Sequence, residues 1–333
     1  MNRNFFIPHV LKTPAGNPGM KANRRDSARK PRDPVRGCFI AGCLCLSLSG
    51  LIGCSRPPAG YTEEMLLMGT TARITVVPDT PRNQDAAHKA FSLLNEYDRR
   101  FSFFSAQSEL SQLNAAAATA AQKVSPDLFE LIEKSLWYSG LTQGVFDVTA
   151  TSLQRQSGYG SIIINKPENT VKFTDPKTKI DLGGIAVGYC IDKAASQLRG
   201  QGVENFLIDI GGDIIAYGRN ADNQSWQIGL QDPFSSKVIL ASFPLNNEAV
   251  TTSGNYVKKH IIDPKAGTVS TSRVMSVAVF APTCIDADAL ATTLFICGPG
   301  EQTQEIIRKV PGLRVVFVLD HAGRAELTEI SSE

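Results

Sequence analysis

The chain contains little of what metal clusters and disulfide frameworks require. Among its 333 residues, 4 are histidine and 7 are cysteine. Three of the cysteines, Cys190, Cys284 and Cys297, follow residue 54, and their wide spacing matches neither a zinc-ligand pattern nor a disulfide framework. We therefore exclude a zinc-finger class and a disulfide-rich class, and we expect buried thiols with at most one disulfide.

An excess of basic charge is also missing from most of the chain. The formal net charge is +2, but residues 1–53 hold nine of the 34 basic residues and only two of the 32 acidic ones. The remaining chain is therefore mildly acidic, with a net charge of about −5. Because binding to a phosphate backbone needs a basic surface, we expect no nucleic acid among the partners.

The main apolar run is too short to span a bilayer as a helix. Residues 38–52 provide about fifteen positions where roughly 20 are needed, and basic residues precede them, as in a secretory signal. The run ends in Leu51-Ile52-Gly53-Cys54, which resembles a bacterial lipobox, where the cysteine is lipidated and becomes the new N-terminus. An ordinary signal peptide with an incidental cysteine is the alternative.

These features divide the chain into three segments. Residues 1–53 are predicted to be a lipoprotein signal peptide, with a true start at Met1 or Met20, residues 54–64 a tether, and residues 65–333 the folded body. We expect lipidation at Cys54 to anchor the body to a bacterial cell membrane on its periplasmic side.

The body predicts a mixed α+β fold. It has no internal repeats and no low-complexity segment, and its helices and strands do not alternate regularly, which argues against a Rossmann sheet. We expect sheets and helices in two packed lobes. The patterning predicts a strand pair or one long strand over residues 66–77, a helix over 84–104 and a second helix that begins at Ser125.

The first group of residues that could carry chemistry surrounds Gly183-Gly184. A predicted strand over residues 179–182 enters the two glycines, and a predicted helix over 185–198 leaves them. Bare backbone N–H groups and the positive end of a helix dipole would then point at one spot, which suits a pyrophosphate. A tight turn with a packed helix is the alternative.

The second group lies in residues 286–292. Asp288 and Thr292 are four residues apart and so share one face of a predicted helix. A carboxylate and a hydroxyl form half of an oxygen-ligand site for Mg²⁺, which would keep waters and substrate phosphate in its other positions. The alternative is that acids simply favour a helix N-terminus through its dipole.

The third group contains His260, which lies between a glycine turn at Gly254 and an Asp263-Pro264 turn. A catalytic or ligand-binding side chain is plausible in such a loop, and a structural histidine is the alternative. The other two histidines of the body, His88 and His321, are expected on the surface.

Taken in order, these segments resemble one family, the FAD:protein FMN transferases of the ApbE family. The resemblance extends over residues 65–319. It rests on ten short segments, namely Met68-Gly69-Thr70, Phe101-Ser102-Phe103-Phe104, residues 108–114, 144–149, 181–189, 209–213, Thr252-Ser253-Gly254, and residues 260–264, 276–279 and 287–292.

The resemblance implies a specific reaction and a specific site. Family members bind FAD with Mg²⁺, cleave its pyrophosphate, attach FMN through a phosphoester to a threonine or serine of an acceptor protein, and release AMP. By motif position the metal would be held by Asp288, Thr292 and a backbone oxygen near Gly184, with Ala291 offering backbone only, and His260 would be the candidate base. The implied FAD-lining residues are Met68, Phe104, Val145, Phe146, Asp147, Asp181, Val187 and Ile262.

Two positions depart from the family pattern. Val187 occupies a site where the family usually has a charged side chain, commonly lysine, and the loop after Thr149 lacks the usual Gly-Pro-Leu and Trp-Gly-Phe-Gly-like segments. Two alternatives to FMN transfer therefore stay open. One is an FAD pyrophosphatase that uses water as acceptor, and the other is a non-catalytic FAD-binding lipoprotein. The expected acceptor is a membrane electron-transport subunit.

Overall fold

The computed structural model describes residues 59–150, 158–254, 262–263, 268–269 and 273–332. The predicted signal peptide, Cys54, His260 and part of the loop after Thr149 lie outside these residues. All described residues belong to one compact unit. Its first strand begins at Tyr61, so the folded body starts inside the segment that was predicted to be a tether.

Within these residues the chain forms six α-helices and fifteen strands. The helices are α1 Pro81–Phe101, α2 Glu109–Ala116, α3 Pro126–Leu141, α4 Ala186–Gly200, α5 Cys284–Cys297 and α6 Glu301–Lys309. The strands are β1 Tyr61–Leu67, β2 Thr70–Val77, β3 Gln122–Lys123, β4 Ile162–Asn165, β5 Thr170–Phe173, β6 Asn205–Ile210, β7 Asp213–Tyr217, β8 Trp226–Asp232, β9 Ser235–Leu245, β10 Glu248–Gly254, β11 Ile262–Asp263, β12 Thr268–Val269, β13 Val274–Ala281, β14 Arg314–His321 and β15 Arg324–Ser331.

A large sheet organises the body. Its eight strands have the order β1-β2-β6-β7-β10-β13-β14-β15, and every neighbouring pair is antiparallel. Side chains alternate between its two faces. On β13, Val277 and Val279 join the larger apolar cluster with the helices, whereas Ala278 and Phe280 join a smaller cluster with the β8–β9 hairpin. The predicted mixed α+β class is confirmed. The helices and the β8–β9 hairpin cover opposite faces of the large sheet within one compact unit.

Polar side chains set the start of α1 and α3 and the end of α1. The Ser125 hydroxyl accepts from the Leu128 N–H, which confirms the predicted start of α3. Thr80 caps α1, so that helix begins at Pro81, ahead of the predicted residue 84. It ends at Phe101 and not at residue 104, because the Ser102 hydroxyl accepts from the Phe104 and Ser105 N–H groups and offers the backbone an alternative to another helical turn.

The prediction of a strand over residues 179–182 is wrong, and the hydrogen bonds of the Asn114 side chain explain why no strand forms there. Its amide donates to the Ile180 carbonyl at 2.8 Å and accepts from the Ile180 N–H at 2.8 Å. The Asp181 N–H donates to the Val148 carbonyl at 2.8 Å. A side chain and a loop thus take the place of a neighbouring strand, so this extended segment joins no sheet.

The strand pair at residues 66–77, the cysteines and the histidines also have definite places in the structure. Residues 66–77 form the strand pair β1 and β2, joined at Met68-Gly69, and not one long strand. Cys190 and Cys284 are buried thiols and Cys297 is half-buried. His88 and His321 are exposed, as predicted. None of the described helices combines the length and the apolar character that crossing a bilayer would require.

Candidate functional site

The loop that leads into α4 presents its backbone openly. Gly183 and Gly184 are exposed, and the Asp181 carboxylate accepts from the Gly183 N–H at 2.9 Å, which fixes the turn. Ile185, at the cap position, supplies no side-chain hydrogen bond to the first turn of α4. The start of a helix carries the positive end of its dipole, so this loop can receive an anionic group such as a phosphate.

Helices α4 and α5 meet at a position that only glycine can occupy. A Cβ atom on Gly188 would lie 2.5 Å from the Cys284 carbonyl oxygen and 2.8 Å from the Asp288 Cβ. This close approach lets the Asp288 Oδ2 accept a hydrogen bond from the Gly188 N–H at 2.9 Å. Asp288 therefore partners the N-terminus of α4, in addition to lying in α5.

Asp288 is an unusual residue for its surroundings. Its exposed fraction is 8%, and its neighbours Ala287, Ala289 and Leu290 are fully buried. A carboxylate is costly to bury among apolar groups unless it is paired or binds a cation. Both acids of this segment also lie at helix N-termini, as the dipole alternative predicts, since Asp286 is in the first turn of α5 and Asp288 accepts from the first turn of α4.

Thr292 extends the oxygen-bearing face of α5. It lies one turn after Asp288, is half-buried, and its Oγ1 lies 3.3 Å from the Ser253 Oγ on β10. Ala291 is fully buried. Within the part of the chain that the structure describes, no group of three His, Cys, Asp or Glu residues could hold a metal. One carboxylate with one hydroxyl fits Mg²⁺, which retains waters and takes substrate phosphates, and not a structural zinc.

The segment 145–147 packs against the same loop. Val145 and Phe146 are buried, and the Phe146 Cε2 lies 3.8 Å from where a Cβ on Gly184 would stand. The Asp147 carboxylate accepts from the Thr149 N–H and hydroxyl at 2.8 and 2.7 Å and from the Tyr159 N–H at 3.2 Å. In this structure Asp147 thus holds the ends of the loop between Thr149 and Tyr159.

Four other residues are predicted to contact the flavin, namely Met68, Phe104, Val187 and Ile262. Met68 is half-buried at the β1–β2 turn, with a φ of 52°, and Val187 is half-buried against the larger apolar cluster. Phe104 is 93% exposed, and its ring and that of Phe103 form a T-shaped pair with 5.6 Å between their centroids. Ile262 lies in the short strand β11, opposite Val269. The structure thus brings together residues 146, 181, 184 and 288.

Residues missed by the sequence predictions surround the start of α5. The Tyr138 hydroxyl donates to Asp286 Oδ1 at 2.6 Å, and the Tyr138 ring lies edge-on to Phe146 at 6.1 Å. Burial raises the pKa of Tyr138, with the Asp286 charge adding to this effect, so its hydroxyl stays protonated. In the sequence Asp286 is recognisable only as an acid near the start of a predicted helix, which does not reveal its partner.

Asp192 was also missed, although it lies four residues after Gly188 on the same face of α4. Its two carboxylate oxygens accept from the Cys284 and Ile285 N–H groups at 2.8 and 2.9 Å. Burial raises the pKa of Asp192 to about 6, against the lowering effect of these two N–H groups. It is therefore ionised at neutral pH.

Residues 68–317 match the model of the ApbE family. The chain belongs to the ApbE family. Among curated relatives, an FAD:protein FMN transferase of Vibrio cholerae serotype O1 is 29% identical over 286 residues, covering 76% of this chain and 86% of the relative. An FAD:protein FMN transferase of Klebsiella pneumoniae is 26% identical over 316 residues, covering 83% and 90% of the two chains.

Solved structures of ApbE proteins share the fold. The flavin transferase ApbE from Vibrio cholerae superposes with a TM-score of 0.74 at 26% identity, covering 83% of this chain and 98% of the other. The ApbE protein from Thermotoga maritima gives a TM-score of 0.70 at 26% identity, covering 80% and 96%. The family and fold inferred from the sequence motifs are thereby confirmed.

Proposed function

We propose that the chain transfers FMN from FAD to a threonine or serine hydroxyl of an acceptor protein, in a Mg²⁺-dependent reaction that releases AMP. The observation that carries this proposal is the Asp288 carboxylate at 2.9 Å from the Gly188 N–H, beside the exposed Gly183-Gly184 loop, in a chain of the ApbE family. Relatives that share most of its length are named for this activity.

The proposed reaction replaces the phosphoanhydride bond of FAD with a phosphoester bond to the acceptor protein. The acceptor oxygen bonds to the phosphorus of the FMN half, the bond from that phosphorus to the bridging oxygen breaks, and AMP leaves with the bridging oxygen. The hydroxyl proton passes to a base, for which His260 is the candidate from the family motif. General base catalysis contributes about 10²–10⁴-fold where it operates.

The residues of this chain would align and neutralise the pyrophosphate. The exposed backbone of the Gly183-Gly184 loop, whose turn Asp181 holds through the Gly183 N–H, would lie against it, and Asp288 and Thr292, with a backbone oxygen near Gly184, would hold Mg²⁺. When bound, Mg²⁺ offsets phosphate charge and stabilises the AMP leaving group. Phe146 is positioned as an apolar wall beside Gly184, and we assign Met68 and Phe104 to contacts with the flat, largely apolar flavin ring.

Product analysis separates this function from its two alternatives. The full chain is incubated with FAD and Mg²⁺, with and without an acceptor domain that carries a Ser/Thr-Gly-Ala-Thr-like segment, and nucleotides are resolved by chromatography. FMN transfer predicts AMP only when acceptor is present, with no free FMN. AMP and free FMN without acceptor would indicate a pyrophosphatase. Bound, uncleaved FAD in all reactions would indicate a flavin carrier, for which Val187 in place of the usual lysine is the motivating residue.

We further infer that the protein is anchored by lipid at Cys54 on the periplasmic side of the bacterial membrane, which places it beside membrane electron-transport acceptors. The lipobox-like segment at residues 51–54 supports this location. Fractionation of cells that express the chain and its Cys54→Ser variant tests it. Membrane recovery that is lost in the variant is expected, and equal recovery of both chains in the soluble periplasm would contradict the anchor.

A further inference from the structure

We propose that Asp192 is a positioning residue that fixes the metal-binding face of α5 against the start of α4. This inference rests on the proposed function, because it concerns the site formed by Asp288 and Thr292. Asp192 itself lies on α4 and touches neither of those two residues through any hydrogen bond that the structure describes.

Asp192 completes the hydrogen bonding at the N-terminus of α5. The first four N–H groups of a helix lack partners within the helix. In α5 the third and fourth are satisfied locally, by the Thr283 hydroxyl and carbonyl. The first and second, from Cys284 and Ile285, donate to the two carboxylate oxygens of Asp192 at 2.8 and 2.9 Å. Asp192 therefore joins α4 to α5 as a bidentate acceptor for the two N–H groups that Thr283 does not satisfy.

A second contact runs in the opposite direction between the same helices. Asp288 on α5 accepts from the Gly188 N–H of α4 at 2.9 Å. Asp192 follows Gly188 by four residues, and Asp288 follows Cys284 by four residues. Helix α4 thus presents one N–H donor and one carboxylate, and α5 presents two N–H donors and one carboxylate. Two reciprocal contacts one turn apart prevent α5 from sliding along α4 or turning about its own axis.

The contacts of Asp192 and Gly188 together fix the position of the Asp288 carboxylate. With only the Gly188 contact, α5 could pivot about that point and move the hydroxyl of Thr292 relative to the Gly183-Gly184 loop. With the Asp192 contact as well, the start of α5 is held to the middle of α4, and α5 cannot pivot about Gly188. Hydrogen bonds from backbone N–H groups to a carboxylate are stronger than those to a neutral acceptor, and the two from Cys284 and Ile285 offset part of the cost of burying Asp192.

Glu130 supplies a matched control in the same surroundings. Asp192 and Glu130 line one cavity of about 310 Å³ between α3, α4 and α5. Glu130 accepts from the Lys193 ammonium at 2.8 Å and the Tyr189 hydroxyl at 3.0 Å, and among the described residues neither of these hydrogen bonds reaches the α5 backbone. Glu130→Gln therefore removes one negative charge from the same cavity and leaves the hydrogen bonds between Asp192 and the start of α5 in place.

The test measures metal affinity and backbone protection, not only turnover. Mn²⁺, as a paramagnetic probe for a Mg²⁺ site, is titrated by electron paramagnetic resonance into the full chain and its Asp192→Ala, Asp192→Asn and Glu130→Gln variants. Loss of a supporting contact around a metal site typically lowers affinity about 10–100-fold. We expect about a tenfold loss for Asp192→Ala, a smaller loss for Asp192→Asn, which keeps one acceptor oxygen, and none for Glu130→Gln.

Amide hydrogen exchange at Cys284 and Ile285 supplies the second readout, with faster exchange expected in Asp192→Ala. Unchanged Mn²⁺ affinity in folded Asp192→Ala would overturn the proposal, as would absence of Mn²⁺ binding by the wild-type chain. If Asp192→Ala does not fold, equal affinity of Asp192→Asn and wild type overturns it. A wild-type chain that binds Mn²⁺ with the expected differences but transfers no FMN would reject the proposed function and retain the positioning role.

Discussion

The Asp288 Oδ2 accepts a hydrogen bond from the Gly188 N–H at 2.9 Å, across the contact between α5 and α4. Asp288 supplies the carboxylate, and Gly188, which has no side chain, lets the two helices approach closely. Together they bring a negative oxygen to the open start of a helix, beside two exposed glycines. A metal-bound pyrophosphate needs both features, because the cation and the helix dipole each offset phosphate charge.

Asp288→Asn is expected to lose metal affinity without loss of fold. The amide oxygen can still accept from the Gly188 N–H, but the charge that attracts a divalent cation is gone. We expect at least tenfold weaker Mn²⁺ binding, measured by titration, with a melting temperature close to wild type. Asp286→Asn, on the same helix, is the control, because its carboxylate bonds to Tyr138 and Thr283. Equal losses in both variants would contradict a specific role for Asp288.

Gly188→Ala is expected to destabilise the protein and to weaken the metal site together. Its Cβ would lie 2.5 Å from the Cys284 carbonyl oxygen, so the two helices must separate, at a cost of about 1–3 kcal/mol. Gly200→Ala is the matched control on the same helix, since a Cβ there meets nothing within 4 Å. Chemical denaturation measures both variants, and equal stabilities would refute the close helix contact.

Phe104→Ala is expected to lower FAD affinity while leaving stability within about 0.5 kcal/mol of wild type, as for most surface substitutions. The ring is 93% exposed, so it contributes little to the core. Phe234→Ala, another exposed phenylalanine at 46%, should change neither property. Fluorescence titration of FAD gives the affinities. Unaltered FAD binding in Phe104→Ala would remove this residue from the flavin site.

The stability of the protein should depend on pH through Asp192. Its pKa is raised from 3.8 to about 6 in the folded state, chiefly by burial, so the folded chain holds this proton more tightly than the unfolded chain does. The resulting stabilisation is present below pH 4 and is lost as pH rises through 6, by about 3 kcal/mol. Relative to wild type, Asp192→Asn should therefore gain stability between pH 4 and pH 7.

Glu130→Gln should show the opposite trend. Burial tends to raise the pKa of Glu130, but hydrogen bonds from Lys193 and Tyr189 and the charge of Lys193 lower it overall. The wild-type chain should therefore gain stability over Glu130→Gln as pH rises through the ordinary glutamate range. Denaturation curves at several pH values check both signs, and parallel curves for all three proteins would contradict them.

Local patterns predicted the parts of the site that depend on local chemistry. The double glycine before a helix indicated an open helix start, and the four-residue spacing placed Asp288 and Thr292 on one face. The role of Gly188 could not be predicted, because it depends on α5 crossing α4 at that residue, 96 positions before Cys284 in the chain. Asn114 likewise resembles an ordinary helix residue until its amide is seen bonding to Ile180.

The strand order of the large sheet could not be predicted either, because it depends on contacts between residues that are far apart in the chain. Strand β10 lies between β7 and β13, and this arrangement places Ser253 beside Thr292. No spacing along the chain indicates such a pairing, since strands of similar apolar character could pair in several orders. Local residues predicted elements such as α1 and α3, whereas the order of the strands is decided by packing on both faces of the sheet.

The most direct test of the account is the intact mass of an acceptor domain after incubation with FAD, Mg²⁺ and either the wild-type chain or Asp288→Asn. We predict that the wild-type chain adds one FMN, less one water, to the acceptor, that chelation of Mg²⁺ abolishes the addition, and that Asp288→Asn adds at most a trace. An FMN adduct formed equally well by Asp288→Asn would contradict the assignment of Asp288 to the catalytic metal. No adduct with the wild-type chain, on an acceptor modified by a known transferase, would contradict FMN transfer itself.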